Sequence, residues 1–331
     1  MRTQPLLGAG ALALAISGAT AAQGFAQDVT LRYHWTKGEQ SRSRLTQQTS
    51  TAISPAGQAG GASTGSFESS MTQVFRTVVE DVGADGSATL ELVIESIRAD
   101  LRTPFGTTVF DSDAAGADAS SGPMAQAIAA AYGAMIGQPV RMVVSPTGAI
   151  RKIEGFSRLL EGVLNAQPTD RVEPELLDGF RNAFRDDTAG DMLGWGVAPF
   201  PDHPLHSGDT WQDRLTATIP IVGATTTLRE WTLRGLESAN GSSTARVAGK
   251  TTIAPDPSAP QPAVGPVPLR LGVSSVESEI LFDVSLGRLQ RATMTLVMPA
   301  TLSLPAGSER KNVEMRITGT VTLEVIEAAG R

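Results

Sequence analysis

The 331-residue sequence has no cysteine. No disulfide can staple the fold, and no lipid can be attached to a cysteine behind a cleaved leader, so the chain must bury a core large enough to stand by itself. Histidine is scarce, with only His34, His203 and His206. Positive charge is also short: the formal net charge is −7, which argues against nucleic acid or an anionic membrane surface as the main partner. No phosphate-cradling glycine loop, redox pair or nucleotide motif occurs, and no cofactor is expected.

One apolar run is present, at the start. Arg2 precedes Leu6 to Ile16, and small residues offer cleavage after Ala21 or after Ala26. The run is too short for a stable bilayer span, so residues 1–26 read as a secretory leader. Its removal takes the net charge from −7 to −8, because Arg2 is its only charge. The expected location is therefore periplasmic or secreted, with no membrane anchor after cleavage.

Residues 27–331 read as a single duplicated β-rich domain. Lys37-Gly38-Glu39 followed by Arg44-Leu45-Thr46 returns as Ser207-Gly208-Asp209 followed by Arg214-Leu215-Thr216. The stretch around Gly86 is echoed around Gly241, and that around Gly148 is echoed around Gly287. The echoes keep their order, which marks an internal repeat with a first half at 27–153 and a second at 199–328. Most of both halves alternates with period two: Val29, Leu31, Tyr33 and Trp35 share one face, as do Leu90, Leu92 and Ile94. Turn residues at Ala84-Asp85-Gly86, Ala239-Asn240-Gly241 and Ser285-Leu286-Gly287 predict antiparallel hairpins.

A helical block at 123–137 and 154–195 is expected in mid-chain. Pro123 opens one helix, with Met124, Ala127, Ile128, Ala131 and Met135 at helical spacing. Phe156, Leu159, Leu160, Val163 and Leu164 mark a second, and Pro174 opens a third with Leu176, Leu177, Phe180 and Phe184. The expected class is α+β: an internally duplicated, curved, half-barrel-like antiparallel sheet with about three helices. Ser54 to Ser66, Asp111 to Gly122 and the proline-rich Ala254 to Pro268 read as loop insertions within one fold.

Candidate chemistry is thin. His203, His206 and Asp209 bring imidazole and carboxylate close enough in sequence to ligate zinc, but Pro204 forbids the regular helix that His-x-x-His spacing implies. Gly61-Ala62-Ser63-Thr64-Gly65 matches a nucleophile pattern without the strand and helix its mechanism needs. Ser308-Glu309-Arg310-Lys311 reads as a charged hairpin tip. Asp111, Asp113 and Asp118, and likewise Asp186, Asp187 and Asp191, lack the alternate-position spacing of a calcium loop. Trp195 lies between Gly194 and Gly196, which would let a ligand approach its ring, although core packing is the commoner role.

The Leu31-to-Glu39 opening, Val144 to Ile150, and Pro199-Phe200-Pro201 followed by Ser207-Gly208-Asp209-Thr210-Trp211 together resemble an uncharacterised family of exported bacterial proteins, a domain of unknown function. That resemblance implies export and gives no catalytic residue. A looser likeness in fold is to the periplasmic lipoprotein carriers and lipid-binding lipoproteins, which would imply an acyl-chain site between sheet and helices.

The expectation is a non-enzymatic envelope protein binding a hydrophobic ligand or a protein partner on a concave sheet face. Met124, Met135, Leu159, Leu160 and Trp195 are its candidate ligand contacts. A metal-assisted hydrolase at His203, His206 and Asp209, or an envelope scaffold, are the alternatives.

Overall fold

The computed structural model describes residues 28–55, 65–104, 106–114, 122–166, 177–178, 181, 185–186, 200–219, 223–239, 242–256, 269–306 and 309–327. The expected leader, most of the Pro174 helix and the interiors of the three loop insertions lie outside them. So does the Gly61-to-Thr64 part of the nucleophile-like match.

Four strands open the described chain: β1 (Gln40–Pro55), β2 (Gly65–Val82), β3 (Ala88–Thr103) and the short β4 (Gly106–Asp111). Helix α1 (Pro123–Met135) and helix α2 (Phe156–Asn165) flank the hairpin of β5 (Pro139–Val144) and β6 (Ile150–Glu154). Then come β7 (Thr210–Ile219), β8 (Gly223–Ala239), β9 (Ser242–Pro255), β10 (Leu269–Leu271), β11 (Ser274–Asp283), β12 (Arg288–Ala306) and β13 (Glu309–Glu327). They form one sheet in the order β6-β5-β3-β2-β1-β13-β12-β11-β9-β8-β7, with β4 on β3 and β10 on β12 off that path.

The α+β expectation is corrected by this topology: the fold is an antiparallel sheet of 13 strands, with two helices among the described residues. The physical reason is reach. The longest strands run 19 residues, about 60 Å at strand rise, whereas α1 and α2 have 13 and 10 residues. The helices pack on each other and cover one corner, against β5 and β6 through Leu159, Val140 and Ile153. They are a satellite cluster rather than a layer.

Alternation sorts the two sheet faces. One cross-strand row runs Leu45, Leu323, Ala292, Ile280, Val247 and Leu233 over six neighbouring strands. One residue away, Arg44 meets Glu324 at 3.1 Å and Arg291 meets the same carboxylate at 2.9 Å. Arg42 with Glu95 (2.7 Å) and Arg246 with Glu279 (3.2 Å) continue the charged face. Such exposed pairs contribute about 0.2–1 kcal/mol each, so the apolar rows carry most of the stability and the charges keep the outer face wet.

The sheet curls so that its two edges approach at one end. There Phe200 N–H donates to Thr147 O (2.8 Å), joining the approach to edge strand β7 with the β5–β6 turn. Residues 28–39 cross this end. The expected alternation is present, with Val29, Leu31 and Tyr33 buried, but the segment is not a sheet strand. Its hydrogen bonds go elsewhere: Val29 pairs with Leu205, Tyr33 N–H donates to Pro146 O (2.7 Å) and His34 N–H to Gly287 O (3.0 Å). It acts as a seam between the β5–β6 turn, the β11–β12 turn and the approach to β7. Gly287 is indispensable there, since a Cβ would lie 2.7 Å from the Arg32 carbonyl oxygen and φ is +62°.

The core is assembled on this seam. Tyr33 packs edge-on against Phe282 (5.0 Å between ring centres), and Phe200 meets Phe282 likewise (4.9 Å). Trp231 is buried beside them, over Gly249, where any side chain would overlap the indole ring.

Candidate functional site

Beside the seam lies a cavity of about 400 Å³, near the lower end of the size range of ligand pockets. Its walls are mostly apolar and come from distant parts of the chain: Phe75, Leu90, Met142, Val144, Leu289 and Leu323 are among them. Tyr33 and Trp35 face it together, because residues two apart in an extended segment share a side, and their rings stack at 5.4 Å and 4°. Burial pushes the Tyr33 phenol up, so it stays neutral.

Polar groups enter at one pole. After Trp35 the chain reverses at Gly38 (φ +82°), with Glu39 N–H donating to Thr36 O (3.0 Å). The turn delivers Glu39 to the cavity wall. Arg288, directly after the Gly287 turn, places Nη2 2.9 Å from Glu39 Oε1; the Glu39 side chain is 10% exposed and that of Arg288 29%. Three buried atoms on this wall have no hydrogen-bonding partner among the described residues: Glu39 Oε2 and Arg288 Nε of the pair, and Trp35 Nε1. Each such atom costs about 1–3 kcal/mol when nothing meets it, so their concentration on one cavity singles it out.

Asp283 also lines the cavity, but its carboxylate is fully engaged. It accepts from Ser242 Oγ (2.8 Å), Gln290 Nε2 (3.2 Å) and Leu286 N–H (2.9 Å). Burial pushes its pKa up, yet these donors outweigh burial and hold it below the usual value.

The residues proposed from sequence fall differently. Met135 and Leu159 pack into the cluster of α2 on Val140 and Ile153, one layer behind the cavity; Met142 and Ile150 belong to both. Leu160 is half-buried on the same helix. The side chain of Met124 and all of Trp195 lie outside the described residues. Of the residues that do form the pole, Trp35 and Glu39 lie in the Leu31-to-Glu39 opening and Arg288 follows the Gly287 turn, but nothing in those stretches marks a binding role. Glu39 and Arg288 each directly follow a turn glycine, Gly38 and Gly287.

His206, Asp209 and His203 form a turn rather than a cluster. Asp209 accepts the His206 backbone N–H (2.8 Å), the main cause of its lowered pKa, and lies 3.4 Å from His206 Nδ1. His206 Nε2 meets Asp28 at 2.6 Å, while His203 Nδ1 contacts the Pro204 carbonyl. Among the described residues no three His, Asp or Glu side chains are grouped to hold a metal ion. Asp111 pairs with Arg98 at 3.0 Å, and Asp186 accepts the backbone N–H groups of Gly155 and Ser157, fixing the start of α2.

Known structures offer distant likenesses. A lipovitellin structure matches 90% of this chain at 13% identity with a TM-score of 0.43, and the chain spans only 26% of that protein's length. An outer membrane channel from Pseudomonas putida F1 matches 89% of this chain and 97% of its own at 7% identity, with a TM-score of 0.27. Scores this low do not establish a shared fold. No curated protein sequence matches the chain. Residues 85–280, more than half of the sequence, match the family described as a family of unknown function (DUF6263), and the chain belongs to that family.

Proposed function

We propose that this is an exported cell-envelope protein without enzymatic activity, which takes the apolar part of a small amphiphile into the cavity beside Trp35. The observation that carries it is the cavity itself: apolar walls joined to a pole of three buried, unpartnered polar atoms. Apolar walls supply affinity and the few polar atoms supply orientation. The faces agree with a ligand held inside. A membrane-embedded barrel turns its apolar face outward, whereas here charged pairs such as Arg44 with Glu324 occupy the face opposite the cavity. The leader-like residues 1–26 support export.

The two halves are read as copies of one unit. Gly38 N–H donates to Val79 O (2.8 Å) and Val79 N–H to Glu39 O (2.9 Å); Gly208 N–H donates to Leu233 O (2.7 Å) and Leu233 N–H to Asp209 O (3.0 Å). A register shift follows each, at Val79/Asp81 and at Leu233/Gly235. The cavity pole uses what the copies do not share: Glu39 pairs across to Arg288, while Asp209 turns to His206.

Nile red should bind the purified mature protein and be displaced by single-chain amphiphiles. Thr77, a cavity-wall residue, offers a blocking variant: Thr77→Trp fills the space and should abolish the signal while the protein stays folded. Unchanged Nile red binding in Thr77→Trp would place the probe elsewhere and sink the reading. Cell fractionation tests the export half, with a mature N-terminus after Ala21 or Ala26 expected. Stoichiometric zinc in the native protein would instead favour the hydrolase at His203, His206 and Asp209.

A further inference from the structure

We infer that the cavity selects an amphiphile whose head is an uncharged hydroxyl rather than a carboxylate or an amine. This rests on the reading of the cavity as an amphiphile site and adds the chemistry of the head. The free groups at the pole are two donors, Trp35 Nε1–H and Arg288 Nε–H, and one acceptor, Glu39 Oε2. A hydroxyl offers the complement, one donor and two acceptor lone pairs. One hydroxyl therefore carries both the donor that Glu39 lacks and the acceptors that the two N–H groups lack.

Charge points the same way. Glu39 and Arg288 already neutralise each other at 2.9 Å, so the pole has no spare charge for an ionised head. A carboxylate head brings no donor for Glu39 and places like charge beside it. An ammonium head brings no acceptor for either N–H. Both carry an uncompensated charge out of water. Asp283, the remaining acid on the wall, is occupied by three donors and does not alter this balance.

The test is displacement of Nile red near neutral pH by three ligands with one chain and different heads: dodecanol, dodecanoate and methyl dodecanoate. Methyl dodecanoate is uncharged but has no proton to give, so it separates hydrogen bonding to Glu39 from neutrality alone. Dodecanol should compete at about tenfold lower concentration than either, the size of one buried hydrogen bond left unmade. Trp35→Phe keeps an aromatic ring at the stack but removes a donor, and should weaken dodecanol several-fold while the protein stays folded. Dodecanoate binding as well as dodecanol, or an ester equal to the alcohol, would overturn the inference while leaving the cavity as a hydrophobic site. Absence of Nile red binding, or its persistence in Thr77→Trp, would instead remove the reading on which the inference rests.

Discussion

Glu39 and Arg288 meet at 2.9 Å although one directly precedes β1 and the other opens β12, and their contact ties two distant stretches of chain together on a cavity wall. With Glu39 largely buried, losing its partner strands a charge. Arg288→Met should lower unfolding stability in urea by about 2 kcal/mol, between the cost of an exposed pair and that of a fully buried one. Glu39→Gln with Arg288→Met should recover part of the loss, and a double-mutant cycle with no coupling would show the pair to be incidental.

Arg229 and Asp213 should be more sensitive. The Arg229 side chain is 5% exposed on the apolar face, and Asp213 accepts from its Nε at 2.9 Å. Asp213→Ala leaves a buried guanidinium without its carboxylate, and a loss of about 3 kcal/mol is expected by chemical denaturation. A loss below that of an exposed pair would mean water reaches Arg229.

Gly249 lies opposite Trp231 on β8, and the buried indole occupies the space a Cβ would take. Gly249→Ala should destabilise by about 2 kcal/mol through overpacking. A Gly249→Ala, Trp231→Leu double variant should regain part of that. Additive losses would place the strain elsewhere.

Asp85 supplies a pH signature. The Ser87 backbone N–H (3.0 Å), Arg151 (2.7 Å) and the Ser87 hydroxyl (2.9 Å) pull its pKa from 3.8 to about 2. The folded value lies below the unfolded one, so this contribution is complete above about pH 4 and is lost as pH falls toward 2. Asp85→Asn should flatten the acid-unfolding curve within that window. An NMR titration of Asp85 with an ordinary midpoint would refute the assignment.

Much of the frame was legible in the sequence because it depends on local constraints. Gly38, Gly86, Gly148 and Gly287 all take positive φ, a requirement a single residue type announces. Alternation put Leu90 and Ile94 on one face, and both are buried. Non-local geometry was hidden. The stripe of α2 told that Leu159 is buried, not that it would pack on Val140 and Ile153 rather than on a ligand. Trp35 looked like one more member of an alternating strand, because the partners that make it a cavity wall come from Phe75 to Val325. The helical block pointed to an α+β class because periodicity measures a stripe's existence and not the area of sheet beside it.

The pairing of β1 with both β2 and β13 carries a kinetic consequence. β1 gains its second neighbour only when residues 309–327 are available, so its ladder cannot be complete before the last strand is made. Contacts this distant in sequence make folding slow. A chain of this topology emerges from the ribosome with one edge of β1 lacking its native partner until synthesis has passed β13.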